Sequence, residues 1–346
     1  MASESTLGET ASARRFRAPA EAAPHARTWL CWPSTPAIYG TSQAYYESVQ
    51  ETLGRLAAAI ARHEPVTMLA AAELHARVAA LCGPAVTLLD LPTDDMWARD
   101  CGPVFVRDGQ GGKAAVDFNF NGWGGRQRHG WDGRVAAAVA ARLGCAAIAT
   151  QVVGEGGGIE FDGEGTLLLT DSCWVNDNRN PGRGRAEIEQ ELKRTLGVEK
   201  AIWLPGVRGQ DDTDGHIDGT LRFVRPGLVL MSGYPGDTSD WGLAYDASKA
   251  ILARETDARG RPFEIVEVPY AQEWRSSHPK FFTSYANFYV GNGALYSPQF
   301  GDRRADERAR AAFERLFPGR RVVMLDVDRI YENGGGIHCV TQQEPA

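Results

Sequence analysis

No run of residues in this chain approaches the ~18 consecutive apolar positions that a membrane-spanning helix requires, so no membrane span is expected. No C-x-x-C pair occurs either. The six cysteines stand singly at 31, 82, 101, 145, 173 and 339, which argues against a disulfide framework and a thiolate zinc site. No G-x-G-x-x-G turn follows a strand-like run, and "GEGGG" does not lead at once into a helix, so a dinucleotide site is unsupported. Acids outnumber bases: a net charge of −7 leaves no basic footprint for nucleic acid. Arg14, Arg15 and Arg17 have no apolar stretch behind them. Residues 1–15 therefore read as a mobile leader, not a secretory signal, and a cytoplasmic protein is expected.

The chain does have ample core material, with 346 residues, 43% of them hydrophobic and 23% charged. Residues 16–346 read as one domain. No repeat shows as sequence identity, but one shows as style. Helix-spaced runs at 45–63, 133–143, 185–197, 242–255 and 303–317 alternate with short apolar, strand-like runs. Each cycle ends in a loop, most of them rich in glycine and acid: "TDDMWARDCG", "GEGGGIEFDGEG", "GQDDTDGHIDG", a longer fourth loop, and "YENGGGI". With Asp100, Glu155, His216, Asn287 and Cys339 as markers, the loops recur at steps of 55, 61, 71 and 52 residues. Five α/β modules set around an axis would gather those loops at one end, where rigid scaffolds carry chemistry. A doubly wound sheet is the rival reading of the alternation.

Cys339 follows Gly334, Gly335 and Gly336, which remove side chains where another molecule could approach the main chain. A nucleophilic thiol on a final strand "HCVTQ" is one reading, and a buried core thiol is the other. His338 is rejected as its base, because adjacent residues on a strand face opposite ways. His216 is the better candidate: in "DDTDGHIDGT" it stands between Asp214 and Asp218 at spacing two, on one side of an extended segment. Nearby carboxylates would raise its pKa. A metal site and a solvated turn stay open as alternatives.

The loops add Asp94, Asp95 and Asp100 around Trp97, and Glu155 ahead of three glycines. Carboxylates plus one thiol, with almost no lysine in those loops, select against anions and suit a planar guanidinium. Trp97 could cover its face. The same acids would keep the resting thiol protonated, and a bound guanidinium would reverse that by placing positive charge beside the sulfur.

Seven stretches now combine: "FRAPAEAAPHARTWLCWP", "DDMWARDCGPVFV", "NFNGWGG", "GEGGGIEFDGEGTLLLT", "TDGHIDGTLRFVRPG", "NFYVGNGALYSPQFGD" and "GGGIHCVTQQEP". Together they resemble the agmatine deiminase family, which includes the bacterial peptidyl-arginine deiminases, from about residue 16 to residue 345. The resemblance implies the pentein fold, a five-bladed α/β propeller. It implies Cys339 as the nucleophile forming an amidino-cysteine, His216 as general acid/base and Glu155 as its assistant. Asp100 and Asp218 would clasp the guanidinium, with Trp97, Asp212 and Gly336 as further substrate contacts. No cofactor or metal is expected; the partner is a small cationic substrate, and a homo-oligomer is compatible.

One stretch departs from the family pattern Glu-Thr-Asn-Gly-His: here it reads Asp212-Thr213-Asp214-Gly215-His216. The expected reaction is hydrolysis of agmatine to N-carbamoylputrescine and ammonia. Deimination of free or peptidyl arginine, amidino transfer to an amine, and non-catalytic guanidinium binding are the alternatives.

Overall fold

The computed structural model describes residues 16–233 and 236–346; the expected 1–15 leader lies outside them. Its strands fall into five small sheets. The first holds β1 (His25–Cys31), β2 (Val66–Ala70) and β3 (Val86–Asp90). The next holds β4 (Val104–Arg107), β5 (Lys113–Asp117) and β6 (Ala146–Ala149). Then come β7 (Ile159–Phe161), β8 (Thr166–Thr170) and β9 (Lys200–Leu204), followed by β10 (Leu221–Arg225), β11 (Leu228–Gly233) and β12 (Glu264–Pro269). The last sheet holds β13 (Tyr289–Val290), β14 (Ala294–Pro298) and β15 (Arg321–Leu325). A final strand, β16 (Gln342–Pro345), returns to pair with β1.

One connection rule runs through all five. The opening strand is antiparallel to the second, and the second is parallel to the third: β4-β5-β6, β7-β8-β9, β10-β11-β12, β13-β14-β15 and β16-β1-β2. A parallel pair needs a crossover. Five helices supply it: α1 (Gln43–Ile60), α3 (Val135–Leu143), α4 (Arg185–Leu196), α5 (Asp240–Leu252) and α6 (Arg303–Leu316), with α2 (His75–Cys82) leading to the extra strand β3. This is the pentein architecture with its pseudo-fivefold repeat. The doubly wound alternative is excluded by the five separate sheets.

Local sequence explains the elements. In α1, Val49, Leu53, Leu56, Ala57 and Ile60 recur at helical spacing and are buried, and Ser42 accepts from the Tyr45 N–H to cap the start. Gly54, mid-helix, lets α1 lie close to α2, since an added Cβ would sit 2.9 Å from the Leu81 carbonyl oxygen. Asp302 caps α6 by accepting from the Arg304 and Ala305 N–H groups at 3.1 and 3.0 Å.

One expectation fails here. "HCVTQ" is not a strand: residues 337–340 form a turn, and pairing begins only at Gln342. The N–H groups of His338 and Cys339 both point at Asn287 Oδ1, at 3.0 and 3.3 Å. Successive N–H groups of an extended strand point to opposite sides and cannot share one acceptor.

Under that turn lies a buried ionic hub on Glu21, which precedes β1. Its Oε2 receives Arg222 Nη2 at 2.7 Å and His338 Nε2 at 2.8 Å, with Arg99 Nη2 at 3.4 Å, and its Oε1 accepts from the Val290 N–H at 3.0 Å. Arg222 also holds Glu160 at 3.0 Å, and Arg99 holds Gln343 at 2.7 Å. Residues in or just before the opening strands of all five sheets thus meet in one network. Substituting Arg222→Met removes the cation of Glu160 and leaves Glu21 with only His338 and Arg99. Urea denaturation should show a loss of about 3–5 kcal/mol, whereas Arg303→Ala, which breaks the exposed pair with Glu307, should leave the midpoint unchanged.

Candidate active site

All five loop markers sit just ahead of an opening strand. Asp100 lies in the turn Ala98–Cys101 before β4, Glu155 before the Gly156–Gly158 turn and β7, and His216 before the turn Ile217–Gly219 and β10. Asn287 precedes β13 and Cys339 precedes β16. The repeated connection therefore delivers one loop from each sheet to the same place.

Gly157 shows how tightly they meet. A carbon added to it would lie 2.6 Å from His216 Nδ1, 2.8 Å from Asp100 Oδ1 and 3.1 Å from Asp218 Oδ2. Cys339 Sγ stands 3.5 Å from Asp218 Oδ2 and 3.2 Å from Asn287 Nδ2, and the residue is 9% exposed. Asp100 is aimed by the Gly157 N–H at 3.0 Å and by Trp123 Nε1 at 2.9 Å. His216 Nε2 lies 3.2 Å from Glu155 Oε2, and Glu155 is gripped through both oxygens by Arg179 Nε at 2.8 and 3.0 Å. The other ring nitrogen, Nδ1, is buried without a hydrogen-bond partner, 3.7 Å from Asp100 Oδ1. An orphaned imidazole nitrogen among carboxylates is a site waiting for a donor or acceptor.

The acids set the protonation states. Burial by itself lowers the His216 pKa, but the charges of Asp100, Glu155 and Asp218 outweigh it and bring it to about 9. Burial raises Asp100 to about 6, against the pull of His216. Asp218 and Glu155 stay below the usual carboxylate range despite burial, held by His338 and Arg179 respectively. Burial, then the charges of Asp218 and Asp100, push the Cys339 thiol well up. The free protein therefore presents an imidazolium, two firm carboxylates and a thiol.

Several expected residues have structural partners of their own. The 209–219 segment is not extended: Asp214 takes a positive φ of 63° and turns to Arg126 and Arg179, at 2.7 and 2.8 Å, leaving His216 and Asp218 to the site. Asp212 is half exposed and bound by Lys280 Nζ at 2.6 Å. Asp94 and Asp95 are structural, the first accepting from the Trp131 N–H at 2.6 Å and the second from Trp97 Nε1 at 2.9 Å and Gln127 Nε2 at 2.8 Å. Trp97 packs over Gly335, the glycine of the terminal turn that faces it, while Gly336 is enclosed by Asn287 and Tyr331. The strand geometry that argued against His338 does not hold: its Nδ1 lies 2.7 Å from Asp218 Oδ2, so it shares a partner with Cys339. Among the described residues, no group of three or more His, Cys, Asp or Glu side chains is arranged to hold a metal ion.

The geometry also brings in residues that the sequence reading did not assign: Asn287, Trp123, Arg179 and Glu21. Asn287 was a spacing marker and opened the quoted stretch "NFYVGNGALYSPQFGD", and Trp123 and Glu21 also lay in quoted motifs, all three without a role. Arg179 lay in none.

Comparison with known proteins agrees with this picture. The profile of the Porphyromonas-type peptidyl-arginine deiminases matches residues 17–345. The chain belongs to that family. Family members include an agmatine deiminase of Stutzerimonas stutzeri, 38% identical over 367 residues and covering 99% of this chain and 98% of its own. One from Medicago truncatula is 35% identical over 373 residues, covering 98% and 99%. A solved structure described as the agmatine deiminase of Enterococcus faecalis catalysing its reaction superposes with a TM-score of 0.87 at 29% identity, covering 96% of each chain.

Within this family member, His216 should titrate near 9 by imidazole NMR, and Asp100→Asn should lower that midpoint by about one pH unit. The sign for stability follows: because the folded pKa is raised, the His216 contribution is full below the ordinary imidazole value of about 6.5 and fades as pH rises through about 9.

Proposed function

We propose that this chain hydrolyses agmatine to N-carbamoylputrescine and ammonia. One observation carries the reading: an unpartnered imidazole nitrogen, two carboxylates and a thiol converge on the space beside Gly157. That combination fits nucleophilic attack on a guanidinium and proton delivery to its leaving nitrogen. The names of the relatives support the same substrate.

In the proposed cycle, Asp100 and Asp218 hold the guanidinium nitrogens. The cation's charge beside Sγ offsets the two carboxylates, and the thiol proton leaves to bulk water. Cys339 sulfur forms a bond to the guanidinium carbon. His216, already an imidazolium, gives its proton to the departing nitrogen, the C–N bond breaks and ammonia leaves. The S-alkylated thiouronium remains. His216, now neutral, takes a proton from water as its oxygen bonds to the same carbon. Collapse breaks the C–S bond, the hydroxyl proton passes to the sulfur and restores the thiol, and the ureido product is released. Positioning between fixed carboxylates in a closed site lowers much of the barrier. The proposed setting of the reaction is the cytoplasm.

Asp212 is the group offered to the far ammonium of agmatine. Lys280 holds it first, so the substrate amine takes over an exposed ion pair of small strength.

An ammonia-release assay with agmatine, free arginine and a blocked arginine peptide tests the substrate; agmatine should be turned over far faster than the others. Cys339→Ala should abolish release while agmatine still raises the melting temperature, and surviving turnover would remove the nucleophile assignment. Thiolate ultraviolet absorbance should rise at lower pH when a guanidinium ligand is added. Superimposable titrations would refute the substrate-assisted step.

A further inference from the structure

Asn287 belongs to the fourth loop. Its side chain is fully buried and all of its hydrogen-bonding capacity is spoken for. Oδ1 accepts from the N–H groups of His338 and Cys339, at 3.0 and 3.3 Å. Nδ2 donates to the Asp218 carbonyl oxygen and to Cys339 Sγ, both at 3.2 Å. Reversing the amide would set its NH2 against two donors and its oxygen against a carbonyl and a sulfur. The partners therefore dictate the orientation.

We infer that Asn287 is a positioning residue for the nucleophile, fixing the direction of Sγ and stabilising its thiolate through the Nδ2–H bond. The inference rests on the assignment of Cys339 above. The titratable groups around the sulfur otherwise oppose ionisation. Asp218 touches it at 3.5 Å, the Asp100 charge acts on it, and the Tyr331 phenol lies beside the same turn. His338 and His216 reach the sulfur's surroundings through Asp218, Asp100 and Glu155. In this setting an amide donor has a differential effect: a hydrogen bond to an anion is stronger than one to a neutral thiol. Because Oδ1 is pinned by two backbone donors, the amide cannot rotate away as the charge develops.

The same arrangement reassigns Gly336. A Cβ there would overlap Asn287 Oδ1 and the Tyr331 ring, so this glycine makes room for the amide instead of for substrate. Asn287 O also accepts from Tyr331 OH at 3.1 Å, which fixes the backbone from which the amide projects.

Alkylation of Cys339 by iodoacetamide, followed across pH by peptide mass in the substrate-free protein, tests this without using turnover. Asn287→Ala should move the alkylation midpoint up by about 1–2 pH units, and Asn287→Asp further still. Gly336→Ala, which presses on Oδ1, should shift it in the same direction. In the agmatine assay, kcat should fall by about 10–100-fold with KM within about threefold. A folded Asn287→Ala protein with an unmoved midpoint overturns the inference. If that variant does not fold, the wild type still decides. The Asn287 side-chain amide resonance should follow the Cys339 titration and be flat in Cys339→Ala, and a resonance indifferent to pH overturns the role. Wild-type protein inactive on every guanidinium tested, but with the midpoint shift present, would unseat the reaction proposed above while upholding the positioning role.

Discussion

The end of this molecule where the five loops meet depends on one buried carboxylate beneath the terminal turn. Glu21 is buried, and isolated burial would neutralise it. It stays charged, well below its ordinary range, because Arg222, His338 and Arg99 offset the desolvation. From this point the constraint travels upward: Glu21 holds His338, His338 holds Asp218, and Asp218 faces both the sulfur and the space where a guanidinium fits. A buried ion pair is a weak source of net stability, and removing one member is costly. What the hub supplies is register among five sheets that are not hydrogen-bonded to one another as a single sheet.

Above the hub, desolvation and charge oppose each other at every group, and the outcome differs residue by residue. At His216 three acids win over burial and the ring is held protonated. At Glu155 the Arg179 cation wins over burial, at Asp218 the hydrogen bond from His338 does, and the carboxylates persist. At Cys339 burial and acids act together, so the sulfur rests as a thiol. A cation entering such a pocket changes the balance most at the sulfur, the group with the least compensation. On the proposed mechanism, the appearance of the nucleophile is coupled to the presence of its target.

Much of this was legible along the chain. Near-equal steps between Asp100, Glu155, His216, Asn287 and Cys339 reflect a repeated strand–helix–strand unit, and periodicity is a local property that survives in one dimension. The long helices α1, α4 and α6 were readable for the same reason. Short opening strands such as β7 and β13 were hidden in loops, since two or three residues hold too little pattern. The terminal turn was misread as a strand because "HCVTQ" has strand composition, and its true shape is imposed by Asn287 from 52 residues earlier. Asp214 looked like a companion of His216 at spacing two; a positive φ and two arginines take it away.

Residue types and their order along the chain were enough to specify an anionic, thiol-bearing centre built from five loops, because charge, nucleophilicity and repeat length belong to the residues themselves. Tertiary structure alone decided how the parts are shared out: which glycine admits Trp97 and which admits an amide, that Arg179 serves Glu155, and that Asn287 reaches the sulfur. Those outcomes depend on contacts between segments far apart in the chain, whose distances are set only when the five sheets pack around Glu21.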